Sequence, residues 1–477
     1  MPKTTQITLQ GHFDANDRLA DEFPLLPFQV PTGIGRLHVR YRVNRQLGGD
    51  QAGQQEGNIV DVGIFDPRGA EFLTARGFRG WSGTARQEFT IGADEATPGY
   101  LPGPIQPGVW HIVLGLYQLS PGGCDYEIVV TVEESKGAGG QKRSGGAEEQ
   151  HSSQVVPGPR WYRGDLHAHT WHSDGLAPLK DLVAAARAQG INFVAVTEHN
   201  TISHLPLLRE HTTPDLLLIP GVEISTYHGH ANAWPIEDFV EFRCPSDDQM
   251  AQVREAIRDR GALFSINHPK QSGPRWEFGD LFEADCIEVW GAPWVVFNYQ
   301  SLAMWDEQLR QGKRITAVGG SDKHQWPFTG ELTWYEVGTP CTWVHADALS
   351  VEAIIAGIRA GRVFISEGPT GPRLELTAES NGQRAAMGDE LRLPIGTGLK
   401  LRCRVRGGAG NLLRLVSAQE IHEAEITTDD FTHEYQVEVT GDTYWRAEVI
   451  EPPNASLDEE PAALVAKALG NPIYVKR

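Results

Sequence analysis

The chain is poor in cysteine, in positive charge and in long apolar runs. Its five cysteines among 477 residues, Cys124, Cys244, Cys286, Cys341 and Cys403, are scattered and never form a Cys-x-x-Cys pair. An odd, dispersed set gives neither a disulfide framework nor a thiolate zinc site, so a reduced, cytoplasmic protein is expected. Lys and Arg number 42 against 62 Asp and Glu, a net charge of −20. Phosphate backbones are held by clustered cations, and the deficit is read as excluding nucleic acid as a partner. A small anionic substrate stays open, because a bound metal cluster outweighs the global field locally. No segment reaches about 18 consecutive apolar residues, and the opening MPKTTQITLQ lacks the apolar core of a secretory signal. No membrane partner is expected, and nothing in the sequence speaks to oligomeric state.

Glycine (52) and proline (30) are plentiful instead, without a collagen-like period, which favours many turns and much β structure. At roughly 150 residues per domain the length suggests about three domains. Residues 1–134 alternate apolar and polar side chains, as in Leu37-His38-Val39-Arg40-Tyr41-Arg42-Val43, the pattern of half-buried strands in a β-sandwich. Residues 135–158 are nearly devoid of apolar side chains and read as a flexible linker. Over 159–370 the period changes. Leu179, Leu182, Val183 and Ala186 mark a helix ending near Gly190, and strand–helix alternation continues for about seven units, an α/β layer or barrel. Alternation returns over 371–477 with Leu399, Leu401, Cys403 and Val405, a small C-terminal β domain.

Within the α/β region, His, Asp and Glu recur at the ends of expected strands, where α/β barrels build their sites. The clusters are Asp165-Leu166-His167-Ala168-His169 with Ser173-Asp174-Gly175, then Glu198-His199-Asn200 and Gly221-Val222-Glu223 with His228-Gly229-His230. Asn267-His268-Pro269 and Gly320-Ser321-Asp322-Lys323-His324 follow. Residues two apart on a strand share a face, so His167 and His169 can grip one ion together. Imidazole and carboxylate without thiolate suit Zn, Mn, Fe or Ni. One such histidine is commonly a hydrogen-bonded core residue; five strand ends carrying them together point to metal.

The order His-x-His…Ser-Asp-Gly, Glu-His-Asn, Pro-Gly-Val-Glu-Ile-Ser, Gly-His-Ala-Asn, Asn-His-Pro and Gly-Ser-Asp-x-His resembles the PHP (polymerase and histidinol phosphatase) superfamily. The Gly-His-Ala-Asn element and the flanking β domains look most like its carbaryl-hydrolase-like metallohydrolase branch. The resemblance implies a distorted (β/α)7 barrel flanked by an N-terminal β-sandwich and a small C-terminal β domain, holding two or three divalent ions (Mn, Zn or Fe). The implied ligands are His167, His169, Asp174, His199, Glu223, His230, His268, Asp322 and His324. Glu223, with Asp322 and His324, is placed in catalysis, and Glu223 is suited to bridge two ions. Members usually carry Asp where Glu198 stands, one methylene longer here. The family pattern prefers His230 over His228, while His172, His204, His211 and His345 read as surface or loop histidines.

Lys270, Arg275 and Lys323 follow or separate ligands and are expected to hold an anionic substrate oxygen. Trp171 and Trp326 are candidates for a pocket wall. The expected function is a metal-dependent phosphoesterase or phosphodiesterase acting on a small molecule, in which a hydroxide shared by the ions attacks phosphorus. The alternative is hydrolysis of an aryl carbamate or carboxylic ester at the same site. A barrel that is only a binding relic would lack ligands, and none is missing.

Overall fold

The computed structural model describes residues 3–135, 157–271, 274–279, 283–324, 335–452 and 464–477. All but the ends of the expected linker lies outside these residues, as does Trp326. No described helix is long and apolar enough to cross a membrane.

The N-terminal alternation is realised as two four-stranded antiparallel sheets. One holds Thr4–Phe13, Cys124–Glu134, Ile34–Val43 and Glu88–Gly92; the other holds Leu25–Val30, Gly108–Gln118, Ile59–Phe65 and Phe78–Gly83. Leu37, Val39 and Tyr41 turn inward and meet Val60, Val62, Ile64 and Trp110 in one core, while Arg40 and Arg42 stay exposed.

Seven strands then surround the clustered histidines. Pro157–Ala168 runs parallel to Phe193–Val196, and a single bridge from His199 to Glu223 leads on to Val222–Thr226. That strand forms a hairpin with Gly229–Trp234, which pairs antiparallel with Leu263–Ile266. Cys286–Gly291 and Thr316–Gly320 follow in parallel, and a bridge from Ala168 to Lys323 closes the ring. Leu179, Leu182, Val183 and Ala186 form the buried stripe of helix Leu179–Ala188, and Gly190 leaves it at φ +65°, a conformation that only glycine adopts without strain. Ser246 and Ser350 cap helices Asp247–Asp259 and Val351–Arg359 through their side-chain oxygens.

A regular (β/α)7 barrel is not what these strands build. Gly229–Trp234 runs against both its neighbours, and two of the seven junctions are single bridges. Of the seven ring strands, only Pro157–Ala168, Phe193–Val196, Gly229–Trp234 and Cys286–Gly291 are followed directly by a helix among the described residues. A two-residue hairpin leaves no room for a crossover helix, which is why the Glu223 strand lacks one.

The first strand of the ring also belongs to an 11-stranded sheet that passes through Cys341–Ala348 and Val363–Ser366 into Ala466–Gly470 and Thr443–Ile450. The boundary expected at residue 370 therefore does not divide the sheets. On the other side, Phe23, Phe65, Phe78 and Trp81 of the N-terminal sheets share a core with Val222, Ile224 and Phe242. Phe78 stacks on Phe239 at 4.4 Å and Trp81 meets Phe242 at 4.7 Å between centroids.

The C-terminal sheet is locked to helix Asn298–Arg310 by buried charge. Arg446 donates to Asp306 Oδ1 at 2.8 and 3.2 Å and to Glu448, and Tyr444 Oη donates to the same Asp306 oxygen at 2.8 Å. Replacing Arg446 by Met strands two carboxylates in the interior, but Arg310 still pairs with Asp306 and Arg414 with Glu448. The expected loss is therefore at the low end for a broken buried pair, about 3 kcal/mol. Arg310→Ala, whose side chain is 46% exposed, should cost less than about 1 kcal/mol. Urea denaturation of both variants checks this, and equal losses would contradict it.

Candidate metal centre

Each expected ligand is delivered by the end of a ring strand or the turn after it. His167 lies within Pro157–Ala168 and His169 just beyond it, held by its backbone N–H on the Lys323 carbonyl at 3.0 Å. Glu223 and Ser225 lie opposite Asn232 and His230 in the hairpin; directly opposed residues share a face, so all four turn inward. Backbone at His268 (φ +27°), Asp322 (φ +53°) and Asn200 (φ +53°) is left-handed. Such conformations cost free energy in non-glycine residues and concentrate at functional sites.

Asp165 ties these ends together. Its carboxylate accepts from the backbone N–H groups of His167 (3.1 Å), Ser321 (2.9 Å) and Gly338 (2.7 Å). Burial pushes its carboxyl up while those N–H groups pull it back. Glu198 takes up the longer side chain noted in the sequence by holding a loop. It accepts from Thr170 N at 2.9 Å, from the Thr170 hydroxyl at 2.5 Å and from the Ser173 hydroxyl at 2.5 Å. Burial raises it to about 7, against those donors.

The expected ligands converge on Glu223, which is fully buried. Its Oε2 lies 3.3 Å from His167 Nε2, 3.4 Å from His169 Nε2 and 2.9 Å from His199 Nδ1. Its Oε1 lies 3.2 Å from His230 Nδ1, 3.3 Å from His268 Nε2 and 2.9 Å from the donating Asn267 Nδ2. Asp322 Oδ1 is 3.3 Å from His167 Nε2 and 3.2 Å from His169 Nε2. Three groups of side chains thus bring ligand atoms together: His167, His169, Glu223 and Asp322; His169, Asp174, His199 and His324; and His199, Glu223 and His230.

These groups fit divalent ions. His167 Nε2, His169 Nε2 and Glu223 Oε2 are buried and make no hydrogen bond, although they lie close together. An ion among them would satisfy the lone pairs that burial leaves without a donor. Bonds of about 2.0–2.1 Å to a tetrahedral ion set ligand atoms about 3.3 Å apart, the spacing found between Glu223, Asp322 and the two imidazoles. Burial, and then His324 and His199, push His169 down to about 3, keeping it in the neutral form that a ligand requires. For Glu223 burial acts upward, but the surrounding imidazoles hold it well below the usual carboxylate range.

One supporting acid has no place in the expected ligand set. Glu288 accepts from His167 Nδ1 at 2.9 Å and from the His268 backbone N–H at 3.0 Å, fixing the tautomer that leaves Nε2 for an ion. His228 sits in the hairpin turn, bonded to Glu22 at 3.1 Å and Glu277 at 3.0 Å, away from Glu223. His172 and His204 are buried and not surface residues. His204 Nε2 lies between the carbonyls of Val196 and Gly221 at 3.2 and 3.0 Å, and His172 Nδ1 bonds Ser203 Oγ at 2.8 Å.

The expected substrate cations divide. Lys270 is buried and donates to the Gly291 carbonyl at 2.5 Å and Asn298 Oδ1 at 2.8 Å; burial lowers it to about 8. Lys323 is buried, donates to the Tyr335 carbonyl and lies 4.6 Å from the Tyr335 ring. Both ammonium groups serve the frame and do not stand at the mouth of the site. Arg275 is exposed, with its carbonyl beside Gly229 of the hairpin. Trp171 is 43% exposed on the loop before Asp174.

Residues 165–261 match the PHP domain family. The chain is 35% identical over 118 residues to the 5'-3' exoribonuclease Rnm of Salmonella typhimurium, spanning 24% of this chain and 40% of that protein. It is 42% identical over 65 residues to the 5'-3' exoribonuclease Rnm of Escherichia coli K12, spanning 13% and 22%. The chain thus matches less than half the length of either curated relative. A two-domain protein of Bacteroides vulgatus, described as containing a PHP-like metal-dependent phosphoesterase, aligns at 18% identity and TM-score 0.39 over 70% of this chain and 100% of that one. Residues 165–261 are thus similar to the PHP domain, whereas the carbaryl-hydrolase-like branch is not singled out. The exclusion of nucleic acid is overturned, since these curated relatives are exoribonucleases. Net charge sums the whole chain, while at a metal centre the local charge is set by the ions.

Glu288→Gln should leave every ligand in place and weaken metal binding roughly 10- to 100-fold, the usual cost of losing a partner that orients a ligand. Competitive titration with a chelating dye measures this, and unchanged affinity would remove Glu288 from the centre.

Proposed function

We propose that the chain is a metal-dependent phosphoesterase that hydrolyses phosphodiesters or phosphomonoesters at the Glu223 centre. The observation that carries the proposal is the two-sided use of the Glu223 carboxylate, whose oxygens face separate sets of imidazoles. His167, His169, Asp174, His199, Glu223, His230, His268, Asp322 and His324 offer more donors than one ion uses. Nitrogen and oxygen donors without sulfur suit Mn, Zn or Fe, and two or three ions are expected. Divalent ions held in this way lower the pKa of water to about 7 and take up charge on ester oxygens.

The chain's own residues set direction and order. His167, His169 and Glu223 are sealed from solvent, whereas side-chain exposure rises to 20% at His199, 29% at His324 and 47% at Asp174. Substrate therefore enters on the Asp174–His324 side. His324 is oriented by its Nδ1–H on the Asp322 carbonyl at 2.9 Å, which turns Nε2 inward. Arg275, exposed beside the hairpin, is a cation suited to a non-bridging oxygen.

Phosphorus is favoured over a carbamate carbonyl because the PHP match and the exoribonucleases both belong to phosphoester chemistry. Small phosphoesters and the 5' end of single-stranded RNA are both within this class. The test offers an aryl phosphodiester, an aryl carbamate with the same leaving group and a 5'-phosphorylated oligoribonucleotide to metal-loaded protein. A phosphoester should be the better substrate, with activity lost on chelation. Glu223→Ala should cost more than the roughly 100-fold upper figure for a mere supporting residue. Rapid carbamate turnover with inert phosphoesters, or indifference to chelator, would contradict the proposal.

A further inference from the structure

Among His169, Asp174, His199 and His324, Asp174 alone is carried out on a turn, while the others lie on a bridge or directly beside a strand or bridge. The turn uses its own N–H groups internally. Trp171 N–H donates to the Ala177 carbonyl at 2.9 Å, and Ser173 and Gly175 N–H both donate to the Thr170 carbonyl at 3.2 and 3.0 Å. From inside the ring, Glu198 grips Thr170 and Ser173. The carbonyls of Trp171 and Ser173 are met from the other side by Arg86, on the loop joining Phe78–Gly83 to Glu88–Gly92, which donates to both, to Ser173 at 2.8 Å.

The same sheets reach two further ligand-bearing segments. Gly99 N–H donates to Ser203 Oγ at 3.0 Å, and Thr201 Oγ1 donates to the Gly99 carbonyl at 2.7 Å, just beyond His199. Tyr227 Oη, at the tip of the hairpin bearing Glu223 and His230, donates to Asp61 Oδ2 at 2.7 Å. The neighbouring hairpin residue His228 is bonded to Glu22. Only Arg86 among these contacts spans two carbonyls of one turn, the geometry in which a rigid guanidinium fork fixes backbone and a flexible ammonium does not.

We infer that Arg86 is a positioning residue of the metal centre. By clamping the carbonyls on either side of residue 172 it holds Asp174 within 3.3 Å of His324 Nε2 and 3.5 Å of His199 Nε2. The N-terminal domain thereby completes the outer ion site, while the inner group of His167, His169, Glu223 and Asp322 does not depend on Arg86. The inference rests on Asp174 being a ligand. It assigns a function to the first domain that holds whichever ester is the substrate.

The experiment loads full-length protein with Co(II) alone and reads bound metal by elemental analysis after equilibrium dialysis, together with the visible absorption of the bound ions. Wild type should bind at least two ions. Arg86→Ala should weaken one ion by tenfold or more, the low end for loss of an orienting partner, and leave the other unchanged. Asp174→Asn should weaken the same ion and remove the same absorption component. Arg86→Lys should recover part of the affinity by reaching one carbonyl. Arg86→Gln, a shorter planar donor, carries the same test should the alanine variant not fold. Unchanged binding of every ion in the Arg86 variants, or equal loss of all of them, overturns the inference. Wild type that binds no Co(II) would instead overturn the metal reading of the centre, a separate result.

Discussion

A carboxylate sealed from water is costly, by several kcal/mol even after relaxation, unless its surroundings answer the charge. Glu223 meets that constraint with His167, His169 and His199 at one oxygen and His230, His268 and Asn267 at the other. Those six partners come from four segments of the ring, so the strands must close around one point for any of them to be placed. The bridge from His199 to Glu223 and that from Ala168 to Lys323 are the seams of this closure, and Asp165 ties the first strand to the end of the last through the Ser321 N–H. Divalent ions answer the charge of Glu223, Asp322 and Asp174 more fully than imidazolium does. The architecture reads as a cage of carboxylate and imidazole built to be filled.

The flanking domains are part of that cage. The 11-stranded sheet continues the first ring strand into C-terminal strands, and the Arg446–Asp306 contact ties that sheet to a ring helix. On the opposite side, aromatic packing of Phe78 and Trp81 against Phe239 and Phe242 sets the N-terminal sheets against the ring. Arg86, Gly99 and Asp61 are thereby brought to the turns that carry or adjoin ligands. A clamp of this kind needs a rigid base, which a shared apolar core supplies better than surface ion pairs do.

Much of the centre was legible in the sequence because metal chemistry restricts residue type and strand geometry restricts spacing. His167 with His169 and Asp322 with His324 stand two apart, and an acid follows Gly221-Val222 directly after an apolar run. The same period of two carried a warning about Lys323. Lying between Asp322 and His324, it turns to the opposite side, towards Tyr335. Lys270 follows a left-handed residue at His268, and such a turn redirects the side chains after it in a way that spacing does not reveal. Glu288 had a signal that went unused, a lone acid inside the apolar run Cys286-Ile287-Glu288-Val289-Trp290, where a buried charge requires a partner. The single-bridge seams, the buried His172 and His204 and the reach of Arg86 depend on contacts between distant segments. Local pattern holds no record of them.

The central claim is that Glu223 joins separate ion sites at the heart of the ring. Anomalous diffraction from crystals of the full chain grown with Mn(II) tests it most directly. At least two peaks are expected in the ring, one within bonding reach of His167, His169, Glu223 and Asp322 and one among Asp174, His199 and His324. A single peak away from Glu223, or peaks confined to the protein surface, would contradict it.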